Sequence, residues 1–306
     1  MKFKKPKFWD YSKISFLSVM LFPLTVIYLI IFLIIKTFRP SKKFASQIIC
    51  VGNIYLGGTG KTPLSIEIFN ILKSLKKNPA FIKKSYNYLQ DEIEMLKKVG
   101  KTFVCKKRAT GISVSITEGH DIAILDDGFQ DFSVKPNFSV LCFNSKQLIG
   151  NGLTIPSGPL REPFKSISRA QCIIINGDKN LDFENKVKVS CKEDQKPHIF
   201  YSKYKINNLD QLINKEITAF AGIGNPSNFF DLLRENNLKI KKTYSFPDHH
   251  NYSKKDFDMI RGDRLTNIVT TEKDFNRMDK TQKQNCLYVD VSLEIDNKDK
   301  FIELIK

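Results

Sequence analysis

The segment Gly57-Gly58-Thr59-Gly60-Lys61-Thr62 has the residue types and spacing of a phosphate-binding loop. Its glycines let backbone N–H groups turn toward phosphate oxygens, and a helix that begins at its end adds positive potential. In such a loop Lys61 reaches the β- and γ-phosphates of a nucleotide, and the Thr62 hydroxyl ligates Mg²⁺. Tyr55 takes the place of the first glycine in the strict pattern, so this is a variant loop. We predict that residues 57–62 bind ATP, with an ordinary glycine-rich turn as the alternative.

A second signal is the segment of residues 121–130, in which an apolar run ends in Asp126-Asp127-Gly128. Phosphate-loop proteins hold the metal that bridges the phosphates with acids at the carboxyl end of a neighbouring strand. We therefore predict Asp126 and Asp127 as Mg²⁺ ligands together with Thr62, and Asp127 also as a catalytic residue beside Lys61. The alternative is a surface turn, for which Asp-Asp-Gly is equally suitable.

For the other candidate functional residues, the sequence pattern alone gives weaker evidence. Arg161 lies in a loop rich in proline and glycine, where it could hold a phosphate by paired hydrogen bonds or simply face solvent. Asp91 is a candidate helix N-cap, and residues 248–250 have the composition of a surface turn. The segment 271–274 either helps to bind nucleotide or caps a helix.

An α/β framework must position these residues. After residue 43, short β-branched or aromatic runs alternate with longer amphipathic runs, which is typical of helices packed on mostly parallel sheets. The polar stretch 178–196 is typical of a linker, and we place a boundary near residue 205. We predict a P-loop NTPase-like α/β kinase domain over residues 44–205 and a second, smaller α/β domain over residues 206–306. The candidate strands are 47–53, 80–83, 102–105, 122–125, 139–143, 172–175, 217–221, 268–271 and 287–291.

Residues 1–43 are predicted to form an N-terminal membrane anchor. Residues 14–35 carry no charge and, as a helix, would reach across the roughly 30 Å hydrocarbon core of a bilayer. A cleaved signal peptide is the alternative, but the stretch is long for one and no small-residue cleavage site follows. Basic residues on both flanks leave the orientation open. Pro23 is compatible with a spanning helix and with a segment that dips into the bilayer and returns. Residues after the anchor must meet ATP and are expected in the cytoplasm.

The formal net charge is +17, and it is carried mainly by lysines spread along the whole chain. Nucleic acid, an anionic bilayer and an acidic substrate would each be attracted by it, and a generally lysine-rich composition is the plain alternative.

The six cysteines lie far apart without a CxxC pair. Buried thiols in a reducing compartment explain them better than a zinc site or a disulfide framework.

Taken in order, these motifs resemble one family, the tetraacyldisaccharide 4'-kinases of lipid A biosynthesis. The resemblance extends over most of the chain after the anchor. It is carried by Val51-Gly-Asn53 with residues 57–63, Leu125-Asp-Asp-Gly-Phe-Gln130, Gly150-Asn-Gly152, Pro156-Ser-Gly-Pro-Leu-Arg-Glu-Pro163, Phe220-Ala-Gly-Ile-Gly-Asn-Pro226, Phe246-Pro-Asp-His-His250 and Thr271-Glu-Lys-Asp274.

The resemblance implies transfer of phosphate from MgATP to the 4'-hydroxyl of an acylated glucosamine disaccharide 1-phosphate at a bacterial inner membrane. The expected partners are this lipid and membrane phospholipid, with neither nucleic acid nor an obligate protein partner, and the catalytic domains are expected on the cytoplasmic face. The family's catalytic pair of acid and histidine corresponds to Asp91 and His249. We also predict that Arg161 and Gln130 bind the substrate.

The chain departs from the family pattern in three ways. The Ser-Arg-Gly-Tyr-Gly segment is here Lys83-Lys-Ser-Tyr-Asn87, the stretch from there to Asp91 is short, and Asp131 replaces the histidine after Asp-Gly-Phe-Gln. Two other functional hypotheses stay open. One is a membrane-tethered nucleotide switch acting on a protein. The other is a basic module that binds membrane or nucleic acid, which leaves the glycine-rich loop unexplained.

Overall fold

The computed structural model describes residues 5–11, 13–86, 89–262 and 266–306. The chain divides into two compact units. The larger unit contains Lys5–Ser85, Gly100–Lys203 and Glu294–Lys306, and the smaller unit contains Tyr86–Val99 and Tyr204–Leu293. The predicted boundary near residue 205 lies beside the division at Lys203. Two segments belong to the other unit from the one that the predicted ranges give them. Tyr86–Val99, which contains Asp91, belongs to the smaller unit, and Glu294–Lys306 belongs to the larger one.

Strands of both units are numbered in chain order. They are β1 (Gln47–Gly52), β2 (Pro79–Lys84), β3 (Thr102–Cys105), β4 (Ile122–Asp126), β5 (Phe138–Asn144), β6 (Cys172–Asn176), β7 (His198–Ile206), β8 (Glu216–Ala221), β9 (Lys239–Ser245), β10 (Asn267–Thr271), β11 (Cys286–Val289) and β12 (Val291–Ile295).

The α-helices are numbered in the same way. They are α1 (Phe16–Phe38), α2 (Lys61–Ser74), α3 (Gln90–Val99), α4 (Arg108–Thr117), α5 (Leu181–Ser190), α6 (Pro226–Glu235), α7 (Lys254–Ile260), α8 (Glu272–Arg277), α9 (Lys280–Lys283) and α10 (Lys298–Ile305). Short 3₁₀ helices occupy Lys7–Asp10, Phe164–Arg169, Glu193–Gln195 and Leu209–Gln211.

The larger sheet has the strand order β12-β7-β6-β5-β1-β4-β2-β3. Its central strands pair in parallel, with β1 between β4 and β5. These strands are continuous apolar runs that are buried along their length, as expected for a parallel sheet covered on both faces. Because the strands are parallel, the carboxyl ends of β1, β2 and β4 lie at the same edge of the sheet. This edge carries the glycine-rich loop and the two adjacent acids.

The smaller unit is built on a sheet of order β11-β10-β8-β9, in which the neighbouring strands are parallel. Aliphatic side chains of β8 pack with those of α6 in one cluster. Phe220 packs edge-on against Phe246, Tyr252 and Phe257 in another. The aromatic cluster supports the turn that carries His249.

Helix α1 is long and apolar enough to cross a membrane by length and composition, and it continues through Pro23. Most of its large apolar side chains are exposed, but Ser18 and Thr25 are buried. The Thr25 hydroxyl donates to the Ser157 hydroxyl (2.8 Å), and the Tyr28 hydroxyl donates to the carbonyl of Arg161 (2.6 Å). One face of the helix therefore packs on the rest of the larger unit.

The prediction of a mostly parallel α/β fold with an apolar N-terminal helix is confirmed. The predicted linker at 178–196 is wrong, because most of it forms α5, which Asn180 caps and which buries Phe183 and Val187. Because Phe183 and Val187 are the two buried side chains of this mostly polar helix, the helical periodicity of its apolar residues is weak. Strands β7 and β9 were missed because lysines interrupt their alternation.

Close packing at Gly52 gives a test of the fold. A Cβ added at Gly52 would lie 2.5 Å from Cβ of Phe129. We expect Gly52→Ala to lower the free energy of unfolding by about 1–3 kcal/mol, because the backbone around Phe129 must shift. Thermal unfolding measures the effect. Val189→Ala is the control, since Val189 is 88% exposed. Equal melting temperatures of Gly52→Ala and the wild type would contradict the packing described.

Candidate active site

The glycine-rich loop is held in shape by its own polar contacts. Gly60 has φ 93°, a left-handed conformation that glycine adopts without strain, and α2 begins at the next residue, Lys61. The Asn53 side chain donates to the carbonyl of Tyr55 (2.6 Å) and to the Thr59 hydroxyl (3.0 Å). The loop thus precedes a helix N-terminus, which is the arrangement that binds phosphate.

Asp126 lies at the end of β4 and is fully buried. Its Oδ2 accepts a hydrogen bond from the Thr62 hydroxyl (3.3 Å), and its Oδ1 accepts one from the Ser65 hydroxyl (3.0 Å). The buried ammonium of Lys83 lies 2.5 Å from the same Oδ2. The structure therefore brings two of the predicted metal ligands together and adds a cation that the sequence did not predict.

Asp127 faces two cations. Its carboxylate lies 3.7 Å from Nζ of Lys61 and accepts from Nη1 of Arg161 at 3.1 and 3.3 Å. Asp127 has φ 54°, so its backbone is in the left-handed region. The carboxylate thus joins the loop lysine to an arginine from the proline- and glycine-rich segment.

Arg108 fixes the backbone of both acids. Its Nη2 donates to the carbonyls of Asp126 (3.1 Å) and Asp127 (2.7 Å), and its Nη1 pairs with Asp131 (3.1 Å). Burial raises the pKa of Asp131, but hydrogen bonds from Ser133 and the Arg108 charge outweigh burial and hold it below its usual value. The acid that replaces the family's histidine therefore has a buried partner and a structural role.

Gln130 lies in a second polar network beside Arg161. Its Nε2 donates to the carbonyl of Asn53 and to Oε1 of Glu162, both at 2.9 Å, and its Oε1 accepts from Arg161 at 3.3 Å. Glu162 is fully buried and also pairs with Arg169. The side chain of Gln130 thus orients Arg161, and substrate contact by these two residues stays a prediction.

In the smaller unit, Asp91 and His249 lie together. His249 has φ 54°, and its backbone N–H donates to the carbonyl of Gly222 (3.1 Å). Its Nδ1 lies 3.4 Å from Oδ2 of Asp91, and Nη1 of Arg277 lies 3.5 Å from the same oxygen. Asp91 is in the first turn of α3 with a buried carboxylate, so the N-cap alternative is excluded.

The carboxylate of Asp91 is held in its charged form. Burial raises its pKa, but contact with His249 and the charges of Lys273 and Arg277 outweigh burial, so the pKa lies below its usual value. Lys273 shows the reverse balance, since burial lowers its pKa and the charges of Glu92 and Asp91 raise it above its usual value. A charged carboxylate beside an imidazole can accept a proton.

Asp274 stabilises the loop that supports His249. It is fully buried and accepts from the backbone N–H of Gly222 (3.1 Å), the Tyr252 hydroxyl (2.5 Å) and the Thr271 hydroxyl (2.6 Å), and it pairs with Arg277. Thr271 is the N-cap of α8. Of the two alternatives for residues 271–274, helix capping is observed.

Sequence reasoning missed several polar residues around the glycine-rich loop of the larger unit and around Asp91 of the smaller unit. They are Lys83, Arg108, Glu162, Arg169 and Arg277. The sequence hinted at two of these contacts, because Lys83 and Asp131, the partner of Arg108, are both positions where the chain departs from the family pattern. Asn87 of the departing segment lies outside the described residues.

Residues 17–306 match the family model described as Tetraacyldisaccharide-1-P 4'-kinase, or LpxK. The chain belongs to this family. It is 40% identical over 314 residues to the tetraacyldisaccharide 4'-kinase of Pelagibacter ubique, covering 100% of this chain and 98% of the relative. The corresponding kinase of Rickettsia akari is 30% identical over 326 residues, covering 100% and 97%.

A solved structure confirms the fold. The LpxK of Aquifex aeolicus, crystallised in complex with ATP, superimposes with a TM-score of 0.72 at 24% identity, covering 94% of this chain and 98% of that one. Membership of the LpxK family confirms that this chain is an ATP-dependent kinase of lipid A biosynthesis. The roles of individual site residues stay predictions.

The ion pair between Lys61 and Asp127 predicts the effect of removing either of these two side chains. We expect Lys61→Ala and Asp127→Ala each to lower kcat about 100-fold or more, because each removes a charge positioned for phosphoryl transfer. Steady-state kinetics with lipid and ATP measure this. Lys101→Ala is the control, since Lys101 pairs with Glu118 on the surface. Turnover within a few-fold of the wild type in either site variant would contradict these roles.

The environment of Asp91 predicts a pH effect. Arg277→Met removes one of the charges that lower the pKa of Asp91, so the carboxylate takes up a proton at higher pH. We expect the acid limb of the kcat profile to move upward by about one pH unit. Arg277→Lys keeps the charge and should restore the limb, and Arg234→Met, which breaks an exposed pair with Asp231, should not move it. An unchanged acid limb in Arg277→Met would contradict this account of Asp91.

Proposed function

We propose that this protein transfers the γ-phosphate of ATP to the 4'-hydroxyl of a tetraacylated glucosamine disaccharide 1-phosphate at the bacterial inner membrane. The observation that carries the proposal is the family match over residues 17–306. The loop at 57–62 supports it, because its helix N-terminus and lysine provide what a triphosphate requires. The exposed apolar face of α1 supports it as well, because the acyl chains of such a substrate do not leave the bilayer.

In the proposed reaction the 4'-oxygen forms a bond to the γ-phosphorus while the bond from that phosphorus to the bridging oxygen breaks, leaving ADP. Asp91 and His249 accept the proton of the hydroxyl. Lys61 stabilises charge on the β- and γ-phosphates, and Asp127 positions Lys61 and Arg161. Arg161, oriented by Gln130, binds a phosphate of the substrate or the nucleotide.

Magnesium fits the oxygen donors at the end of β4. The Thr62 hydroxyl and the Asp126 carboxylate contact each other, and Mg²⁺ in nucleotide sites takes one or two such ligands and completes its shell with phosphate oxygens and water. Among the described residues no group of three or more His, Cys, Asp or Glu side chains could hold a metal. When bound, Mg²⁺ would neutralise charge on the phosphates. Asp127 stays a third candidate ligand, although it is paired with two cations.

We also propose that α1 is embedded in the cytoplasmic leaflet along much of its length. Residues from Ser18 to Tyr28 contact one loop of the larger unit, where Ser18 accepts from Asn151 and Tyr28 donates to Arg161. A helix bound along its side to a polar loop cannot place that loop in hydrocarbon, since its backbone groups would lack partners. The outward apolar face would then contact phospholipid.

The test is transfer of labelled phosphate from ATP to the disaccharide lipid by the purified full chain in detergent. We expect transfer by the wild type, and lower turnover with nearly unchanged nucleotide affinity in Asp91→Ala and His249→Ala. No transfer at saturating lipid, with slow hydrolysis that responds to a protein instead, would reject the kinase and favour a nucleotide switch. Near-normal turnover of Asp91→Ala would show that Asp91 is not the catalytic acid.

A further inference from the structure

Lys83 is a buried lysine at the phosphate site, and the strand register puts it there. In the parallel pair of β2 and β4, Lys83 lies directly opposite Asp126. Its side chain is 2% exposed, and its ammonium lies 2.5 Å from Oδ2 of Asp126. An ammonium this deeply buried is costly unless a carboxylate is adjacent, so the pair is a fixed feature of the site.

The same carboxylate oxygen also accepts from the Thr62 hydroxyl, which belongs to the phosphate loop. Lys83 and the loop are therefore joined through a single atom of Asp126. The family segment that Lys83 departs from has a serine at this position. This chain thus places a lysine that is paired with a carboxylate where the resemblance implies a neutral side chain.

The charges around the loop determine what such a cation does. Three cations, Lys61, Lys83 and Arg161, face two carboxylates, Asp126 and Asp127, and the group carries one net positive charge. The neighbouring pair of Arg108 and Asp131 adds no net charge. Without Lys83 the group would be neutral. A net positive site attracts a polyanion such as a nucleoside triphosphate.

We infer that Lys83 acts as a built-in cation of the nucleotide site, which lets this enzyme hold the triphosphate before or without Mg²⁺ and weakens the dependence of nucleotide binding on the metal. Lys83 is a positioning and charge-balancing residue, because it acts through its ion pair with Asp126. The inference rests on the proposed assignment of residues 57–62 as the phosphate site.

The experiment is titration of the full chain in detergent with a fluorescent ATP analogue, once in EDTA and once in excess Mg²⁺. The wild type should bind in both conditions. Lys83→Met should bind about tenfold more weakly in EDTA, because a charge near the phosphates is lost, and nearly normally in excess Mg²⁺. Lys101→Met, which removes the same charge from an exposed pair, should match the wild type in both.

The double variant Lys83→Met with Asp126→Asn separates charge from structure. It has the same net charge as the wild type, so its affinity in EDTA should recover from that of Lys83→Met toward the wild-type value. A purely structural role predicts the opposite, since two partners of the loop would be lost. If Lys83→Met does not fold, Asp126→Asn and the double variant, which differ only at Lys83, should differ about tenfold in EDTA.

Three results would overturn the inference. They are equal affinity of Lys83→Met and the wild type in EDTA, an equal loss in both conditions without recovery in the double variant, and no binding by the wild type in EDTA. In the last case, binding in Mg²⁺ would leave the proposed phosphate site standing. Absence of binding by the wild type in both conditions would reject the phosphate site as well.

Discussion

The hydrogen bonds of one buried carboxylate, Asp126, connect the helix that follows the glycine-rich loop to the central sheet. Asp126 has no exposure to solvent and accepts from Thr62 and Ser65 of the helix that follows the loop. A buried carboxylate requires such donors, and they in turn fix where α2 begins. The position of the loop relative to β4 therefore follows from satisfying one charge at the edge of a parallel sheet.

The smaller unit uses the same principle for a different purpose. Asp274 is buried at the N-terminus of α8 and binds the backbone of Gly222, whose carbonyl accepts from His249 and from Arg277. Arg277 then faces the carboxylate of Asp91. A chain of contacts thus runs from a helix cap to a charged carboxylate beside an imidazole, and the left-handed backbone of His249 is supported by it.

The sequence predicted those parts of the fold in which local pattern and tertiary burial agree. Strands such as β1 and β4 are uninterrupted apolar runs, and the glycine-rich loop has a composition that few other structures require. Helix α5 and strands β7 and β9 were missed because lysines and acids dilute their apolar positions. For these elements burial is decided by neighbours far along the chain.

The candidate site shows the same division. Residues 57–62 and the acids after β4 were found from local spacing, whereas Asp91 and His249 were paired only through a family resemblance. Lys83, Arg108 and Arg277 were missed, since each meets its partner only through the tertiary fold: Lys83 across the sheet, Arg108 between a helix and the end of a strand, and Arg277 between two helices. A lysine or arginine in a sequence does not show whether it is buried against a carboxylate, and at these positions that contact determines its role.

A crystal structure of the full chain with a non-hydrolysable ATP analogue and Mg²⁺ tests the central claim most directly. The account predicts the terminal phosphates within hydrogen-bonding distance of the backbone N–H groups of residues 57–62, with the Thr62 hydroxyl still contacting Asp126. A loop that stays empty at saturating analogue, or a triphosphate bound elsewhere on the protein, would contradict it.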